Sequence, residues 1–200
     1  RVQEDALRMI RYCRFLPRFA ATGLDQQAQT ALREHASLCT ALSGERIANE
    51  MRQIMVGGRL KDVIGLMQDT KIDQAALGRS LDPSRLANDD EIGSMIAGLG
   101  ANVDFAWLAN LAVAMPSGSA VLLAKRLRLS RAEERCLPRL DLGPGHDDMT
   151  MLSGARWRQA VYYLGDMAAL LFAVQSWRNG HVLDASRLAE FTSWTPPQNP

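Results

Sequence analysis

Apolar residues in this chain recur every three or four positions, and nowhere do they alternate with period two over a strand's length. That spacing specifies helices with one buried face. From about Gln3 to about Ala20, one side carries Ala6, Met9, Ile10, Cys13, Leu16 and Ala20, and the other carries Arg8, Arg11, Arg14 and Arg18. Pro17 should kink or loosen the last turn of this helix. Gly23 ends it, and Asp25 is a good N-cap for DQQAQTALREHASLC. Ser43 then opens LSGERIANEMRQIMVGG, which the Gly57-Gly58 pair closes. RLKDVIGLMQDT and IDQAALGRSL continue the pattern as far as LDPSRLANDDE, a polar, proline-containing stretch that marks a boundary near residue 85.

Beyond that boundary, DDEIGSMIAGLG, NVDFAWLANLAVAM, SGSAVLLAKRLRLS and SRAEERCLPRL are helical, and LGPGHDD is a loop. ARWRQAVYYLGDMAALLFAVQSWRNG is the longest helical stretch, with VLDASRLAEFTSW as a last helix. The composition agrees, since 47% of residues are hydrophobic and only 6% aromatic, a mix that suits helices better than sheets. The expected fold is therefore all-α, an irregular array of about ten helices in two packed subdomains, residues 1–85 and 86–200. Trp107, Trp157, Trp177 and Trp194, with Met9, Met51, Met55, Met67 and Met95, are expected to pack in the core.

Several classes of function are poorly supported. Lys+Arg 23 against Asp+Glu 22 leaves a net charge of +1, so no global field announces a polyanion. Arginine nonetheless far outnumbers lysine, and its planar fork suits phosphate, carboxylate or base edges. Three scattered cysteines, Cys13, Cys39 and Cys136, suit reduced core thiols in a cytoplasmic protein and offer no zinc spacing. The longest apolar run, MAALLFAV, is too short to cross a bilayer, and no signal peptide precedes the first helix. The start at Arg1 and the end at SWTPPQNP both suggest a piece of a longer protein.

No P-loop, GxGxxG, HExxH or GxSxG occurs. Phosphoryl transfer needs converging carboxylates around Mg²⁺, whereas Asp89-Asp90 and Asp147-Asp148 are adjacent pairs in loops or helix starts. His146-Asp147 has the outline of a metal phosphohydrolase pair, but His35 and His181 are the remaining histidines, too few for such a site. No complete catalytic site is present.

The stretch QEDALRMIR at the start of the first helix admits two readings. Glu4 and Asp5 complement the helix dipole, and Glu4–Arg8 is an i,i+4 pair. Asp5 and Arg8 also project to the same side, where a carboxylate that accepts and a guanidinium that donates can meet one planar edge. Cytosine and adenine offer an amino donor beside a ring-nitrogen acceptor, while guanine and uracil offer the reverse. Such a pair would admit C and A and reject G and U, because the wrong base leaves a charge unpaired.

RVQEDALRMIRYCRF resembles the motif RxxEDxLRxxRxxRF of the class II tRNA nucleotidyltransferase and bacterial poly(A) polymerase family. LSGERIANEM resembles the LSxERIxxE segment that follows it there, so the likeness covers about residues 1–58, with looser agreement at 59–85 and LRLSRAEERCL. The resemblance implies that Asp5 and Arg8 touch the base of incoming CTP or ATP and that Glu4 orients the arginine. It implies that Glu45 and Arg46 support this template helix, and that Arg1 and Arg11 contact triphosphate or brace it. Leu16 and Pro17 depart from the family's usual pair after RF, and the family's catalytic head, with its Mg²⁺-binding carboxylates, does not occur here. The implied identity is a neck-and-body fragment that selects the base and binds the tRNA acceptor end, within an enzyme adding CCA or poly(A).

Lys125, Arg126, Arg128 and Arg131 form a local basic cluster, and Arg156 and Arg158 flank Trp157. These are either solvated helix faces or a phosphate-tracking surface for tRNA. The competing view of the whole chain is a stand-alone helical module for RNA or protein binding, without chemistry of its own.

Overall fold

The computed structural model describes residues 5–19, 25–86, 105–141, 150–152, 154–164 and 167–178. Among these residues there are ten α-helices and no strand, so the chain is all-α as expected. The helices are α1 (Leu7–Phe19), α2 (Gln26–His35), α3 (Gly44–Met55), α4 (Leu60–Asp69) and α5 (Ile72–Leu77), followed by α6 (Ala106–Ala114), α7 (Ala120–Leu127), α8 (Arg131–Leu140), α9 (Gly154–Leu164) and α10 (Met167–Arg178). Short 3₁₀ segments occupy Ala36–Ala41 and Pro83–Arg85.

Two boundaries differ from the sequence expectation. α1 begins at Leu7 and runs through Pro17 to Phe19. Pro17 stands two residues before the last helical residue, so its missing N–H and its ring affect only the final turn. DQQAQTALREHASLC is not one α-helix, because α2 stops at His35 and the chain tightens into the 3₁₀ segment. Within the long stretch after residue 154, Gly154–Leu164 and Met167–Arg178 are helical, and Gly165 and Asp166 lie outside the described residues. DDEIGSMIAGLG, VLDASRLAEFTSW, Met95 and Trp194 also lie outside them.

The termini carry local chemistry that accounts for them. Asp25 caps α2 by accepting from the Gln27 N–H at 2.9 Å. Ser130 and Glu133 form a reciprocal capping box at the start of α8. α7 ends on Arg128, whose φ of 49° is left-handed, and the Leu129 N–H reaches back to the Ala124 carbonyl.

α3 is the pivot of the packing, touching α1 and α4 on one side and α6 and α7 on the other. α6, AWLANLAVA, is buried all round, as a helix without a polar face must be. It packs on α3, α8 and α10. One apolar core draws on residues from Leu7 to Val174, including Met9, Met51, Met55, Met67, Trp107 and Trp157. Trp177 is partly buried against it. Asp82 and Arg85, at the sequence boundary, hydrogen-bond the carbonyls of Ala114 and Met115 across it. No described helix is long and apolar enough to cross a membrane.

Two polar clusters tie helices distant in sequence together. Arg52 grips Glu133 through contacts of 2.9–3.1 Å and lies 5.2 Å from the Trp107 ring centroid. Arg178 donates to Asp141, which also accepts the Ala120 N–H at the start of α7.

Candidate functional site

The polar side of α1 faces the helix that carries LSGERIANE, and the two are laced by charges of opposite sign. Asp5 Oδ1 accepts the Leu7 N–H at 3.1 Å, so the residue caps α1. The same oxygen accepts from Arg46 Nη2 at 3.1 Å. With side chains 30% and 52% exposed, this ion pair contributes little stability in itself. Its consequence is orientation, since both contacts hold one carboxylate in place at the helix start. Arg8 is exposed on the same helix three residues on.

Further along, Glu50 anchors two arginines. Arg11 Nε donates to Glu50 Oε1 at 2.9 Å, and that hydrogen bond and charge raise the Arg11 pKa above its usual value. Arg14 Nε lies 3.3 Å from Glu50 Oε2, an ion pair without hydrogen-bond alignment, while Arg14 also donates to Gln53. Glu50 is only 5% exposed. α3 thus presents Arg46, Glu50 and Gln53 in a row against Asp5, Arg11 and Arg14.

Glu50 is the anchoring residue that residue-type reasoning passed over. It falls on the stripe of Ile47, Met51 and Ile54, all buried. An acid in an apolar stripe at i+3 and i+4 spacing is a signal of a buried charge partner.

The other expected site residues divide. Arg46 pairs with Asp5 at the start of α1. Glu45 faces away and pairs with Arg128 Nη1 at 2.9 Å; that contact lowers the Glu45 pKa. Arg126 is half-buried, with its guanidinium spent on the carbonyls of Leu42 (3.1 Å), Cys39 (3.5 Å) and Thr40 (3.4 Å). Lys125 and Arg131 are exposed, as are Arg156 and Arg158 beside the buried Trp157. Arg1, Glu4, Asp89, Asp90, His146, Asp147, Asp148 and His181 lie outside the described residues.

The glycine of LSGERI has a steric reason. A Cβ on Gly44 would stand 2.1 Å from the Arg126 carbonyl oxygen and 2.9 Å from the Leu127 carbonyl carbon. The start of α3 and the end of α7 therefore cross with no room for a side chain. Leu42, Glu45, Arg126 and Arg128 fasten this crossing, so the LSGERI and KRLRL segments, far apart in sequence, meet in space.

No group of three potential metal ligands occurs among the described residues. The thiols are buried and free. Burial pushes Cys13 up to about 12 and both Cys39 and Cys136 up to about 11, which keeps them protonated and poor nucleophiles.

Part of this helical array is similar to known proteins. A family model described as "Probable RNA and SrmB- binding site of polymerase A" matches residues 23–77, from the chain ahead of α2 to the end of α5. The chain is also 38% identical over 74 residues to CCA tRNA nucleotidyltransferase 1, mitochondrial, of Homo sapiens, covering 36% of this chain and 17% of that protein. The protein of the same name from Danio rerio is 37% identical over 76 residues, covering 37% of this chain and 18% of the relative. That from Mus musculus is 38% identical over 71 residues, covering 34% of this chain and 16% of the relative. The chain thus spans less than a fifth of the length of the relatives it matches. Over these stretches the chain is similar to the RNA-binding segment of polymerase A and to part of CCA tRNA nucleotidyltransferase 1, mitochondrial.

Proposed function

We propose that this chain is the base-selecting and RNA-binding part of a template-independent nucleotidyltransferase that adds C and A to tRNA 3′ ends. The observation that carries this reading is the laced α1–α3 pair, in which Arg46 and Glu50 brace Asp5, Arg11 and Arg14 while Arg8 stays exposed. Preorganisation of this kind is what base recognition needs, because a loosely held carboxylate discriminates poorly. The pairing of Asp5 through Oδ1 leaves Oδ2 as the acceptor for an exocyclic amino group, and Arg8 donates to the adjacent ring nitrogen. In this reading, the resemblance gives Glu4 the role of orienting Arg8, and Arg1 and Arg11 that of serving the triphosphate. The match to a polymerase RNA-binding segment and to enzymes named for CCA addition supports the same reading.

The reaction is in-line attack of an RNA 3′-hydroxyl on the α-phosphate of CTP or ATP, with pyrophosphate leaving. Mg²⁺ and its carboxylates belong to a head domain outside the described residues, and the present chain holds the base and the RNA. Lys125 and Arg131, exposed near the α7–α8 turn, suit contacts to the acceptor-stem backbone, which A-form RNA presents by shape. Described residues on both sides of residue 85 share one apolar core, which supports a reading in which the two parts move together. Buried, protonated cysteines suit a reducing compartment such as the cytoplasm.

The test uses the full-length protein, Mg²⁺, each nucleoside triphosphate in turn and a tRNA lacking its terminal CCA. Incorporation of C and A, with G and U excluded, is the expected result. Equal use of all four nucleotides, or none, would refute base selection by this pair. A-only or poly(A) addition on the same helices would retain the template and change the product.

A further inference from the structure

We propose that the cleft at the C-terminal end of α1 is a second RNA subsite, one that seats a single nucleotide of an unpaired strand. The cleft is about 580 Å³ and lies between the end of α1 and the Gly57-Gly58 turn that closes α3. That volume falls within the range of about 300–1,000 Å³ typical of small-molecule sites, and a nucleotide is a ligand of that size.

Its walls are cationic and aromatic. Arg14 and Arg18 place their guanidinium carbons 4.4 and 5.3 Å from the Phe15 ring centroid. Arg14 is fixed from behind by Glu50 and Gln53. Arg18 is exposed and has no acidic partner among the described residues, so its charge faces the cleft unbalanced. No carboxylate lines the cleft. On the opposite wall, a Cβ on Gly58 would meet nothing within 4 Å, so a ligand backbone has open access there.

This chemistry selects an anion carrying a flat π-face. Guanidinium planes and aromatic rings are the platforms on which unpaired bases stack, and an exposed arginine beside them takes the phosphate. The ligand is not the incoming nucleotide. Ten residues separate Arg8 from Arg18, which at 1.5 Å per residue is about 15 Å along the helix, a distance that separates the two sites. The cleft therefore lies one or more nucleotides away from the base-reading end, along a strand that follows α1. The inference rests on the RNA-binding reading above.

The experiment titrates the protein with two labelled RNA hairpins, one blunt and one with an unpaired 3′ tail, and separately with CTP and ATP. Wild type is expected to bind the tailed hairpin more tightly. Arg18→Glu should weaken that binding at least tenfold and bind the blunt hairpin within about twofold of wild type. Arg18→Gln and Phe15→Leu should fall between, all three with unchanged melting. Tailed-hairpin affinity that stays within twofold in Arg18→Glu and Arg18→Gln overturns the subsite and leaves the cleft to a protein partner. An equal loss on blunt RNA overturns it in favour of general electrostatics, and loss of free CTP or ATP binding assigns the cleft to the nucleotide instead. If wild type binds neither hairpin, the RNA-binding reading falls together with the subsite.

Discussion

Replacing Gly44 by alanine is expected to lower the melting temperature by about 6–12 °C, corresponding to a loss of roughly 3 kcal/mol or more. The added methyl group would stand 2.1 Å from the Arg126 carbonyl oxygen, and both partners are backbone, so no rotamer change relieves the clash. Relief requires the start of α3 to separate from the end of α7. That movement would strain the Arg126 bonds to the carbonyls of Leu42, Cys39 and Thr40 as well as the Glu45–Arg128 pair. Gly65 provides the internal control. It lies inside α4, where a Cβ would meet nothing within 4 Å. Gly65→Ala should therefore raise stability by about 0.5–1 kcal/mol through helix propensity. Thermal unfolding of the two variants side by side checks the sign and the size of both effects, and a Gly44→Ala protein that melts like wild type would refute the close crossing.

Glu50 is the second position where a large effect is expected. Alanine there removes a carboxylate 5% exposed and leaves Arg14, whose side chain is 19% exposed, facing the interior without a counter-charge. Breaking such a pair should cost about 2–4 kcal/mol, reduced from the fully buried case because the arginines reach solvent. Glu50→Gln keeps the shape and an oxygen to accept from Arg11, so its stability loss should be roughly half as large. Both variants should lower C and A addition by the full-length protein roughly 10- to 100-fold, because the template helix loses its brace. Denaturant melts and single-nucleotide incorporation separate the two consequences. Glu50→Gln with wild-type addition would show that the lacing serves the fold alone.

The helices were legible because the chain keeps a helical period almost everywhere, and the all-apolar run of α6 announced a buried helix. The ends of α1 and α2 were less so. Pro17 stands so close to the end of α1 that the helix continues through it, and the α-to-3₁₀ change at Ala36 leaves no sharp mark in the sequence. Of the two readings of the opening acids, the helix-start role is visible at Asp5, which caps α1 and is also held by Arg46, whereas base reading belongs to the proposal. What periodicity alone could not separate was which surface arginines are free to meet RNA. Arg126 and Lys125 are neighbours of the same charge, yet the crossing at Gly44 turns one onto backbone carbonyls and leaves the other exposed. That choice is made by tertiary contact between segments some eighty residues apart, as is the pairing of Glu45 with Arg128. Glu50, by contrast, was readable as an acid on an apolar stripe.

The most direct measurement is nucleotide incorporation by the full-length protein carrying Asp5→Asn or Arg8→Ala. Asparagine keeps an oxygen for the Leu7 N–H, so the cap on α1 survives, but it replaces a pure acceptor with a group that also donates. C and A addition is expected to fall roughly 100-fold in each variant, while tRNA affinity and melting stay close to wild type. Normal incorporation of C and A by both variants would contradict base reading by this pair.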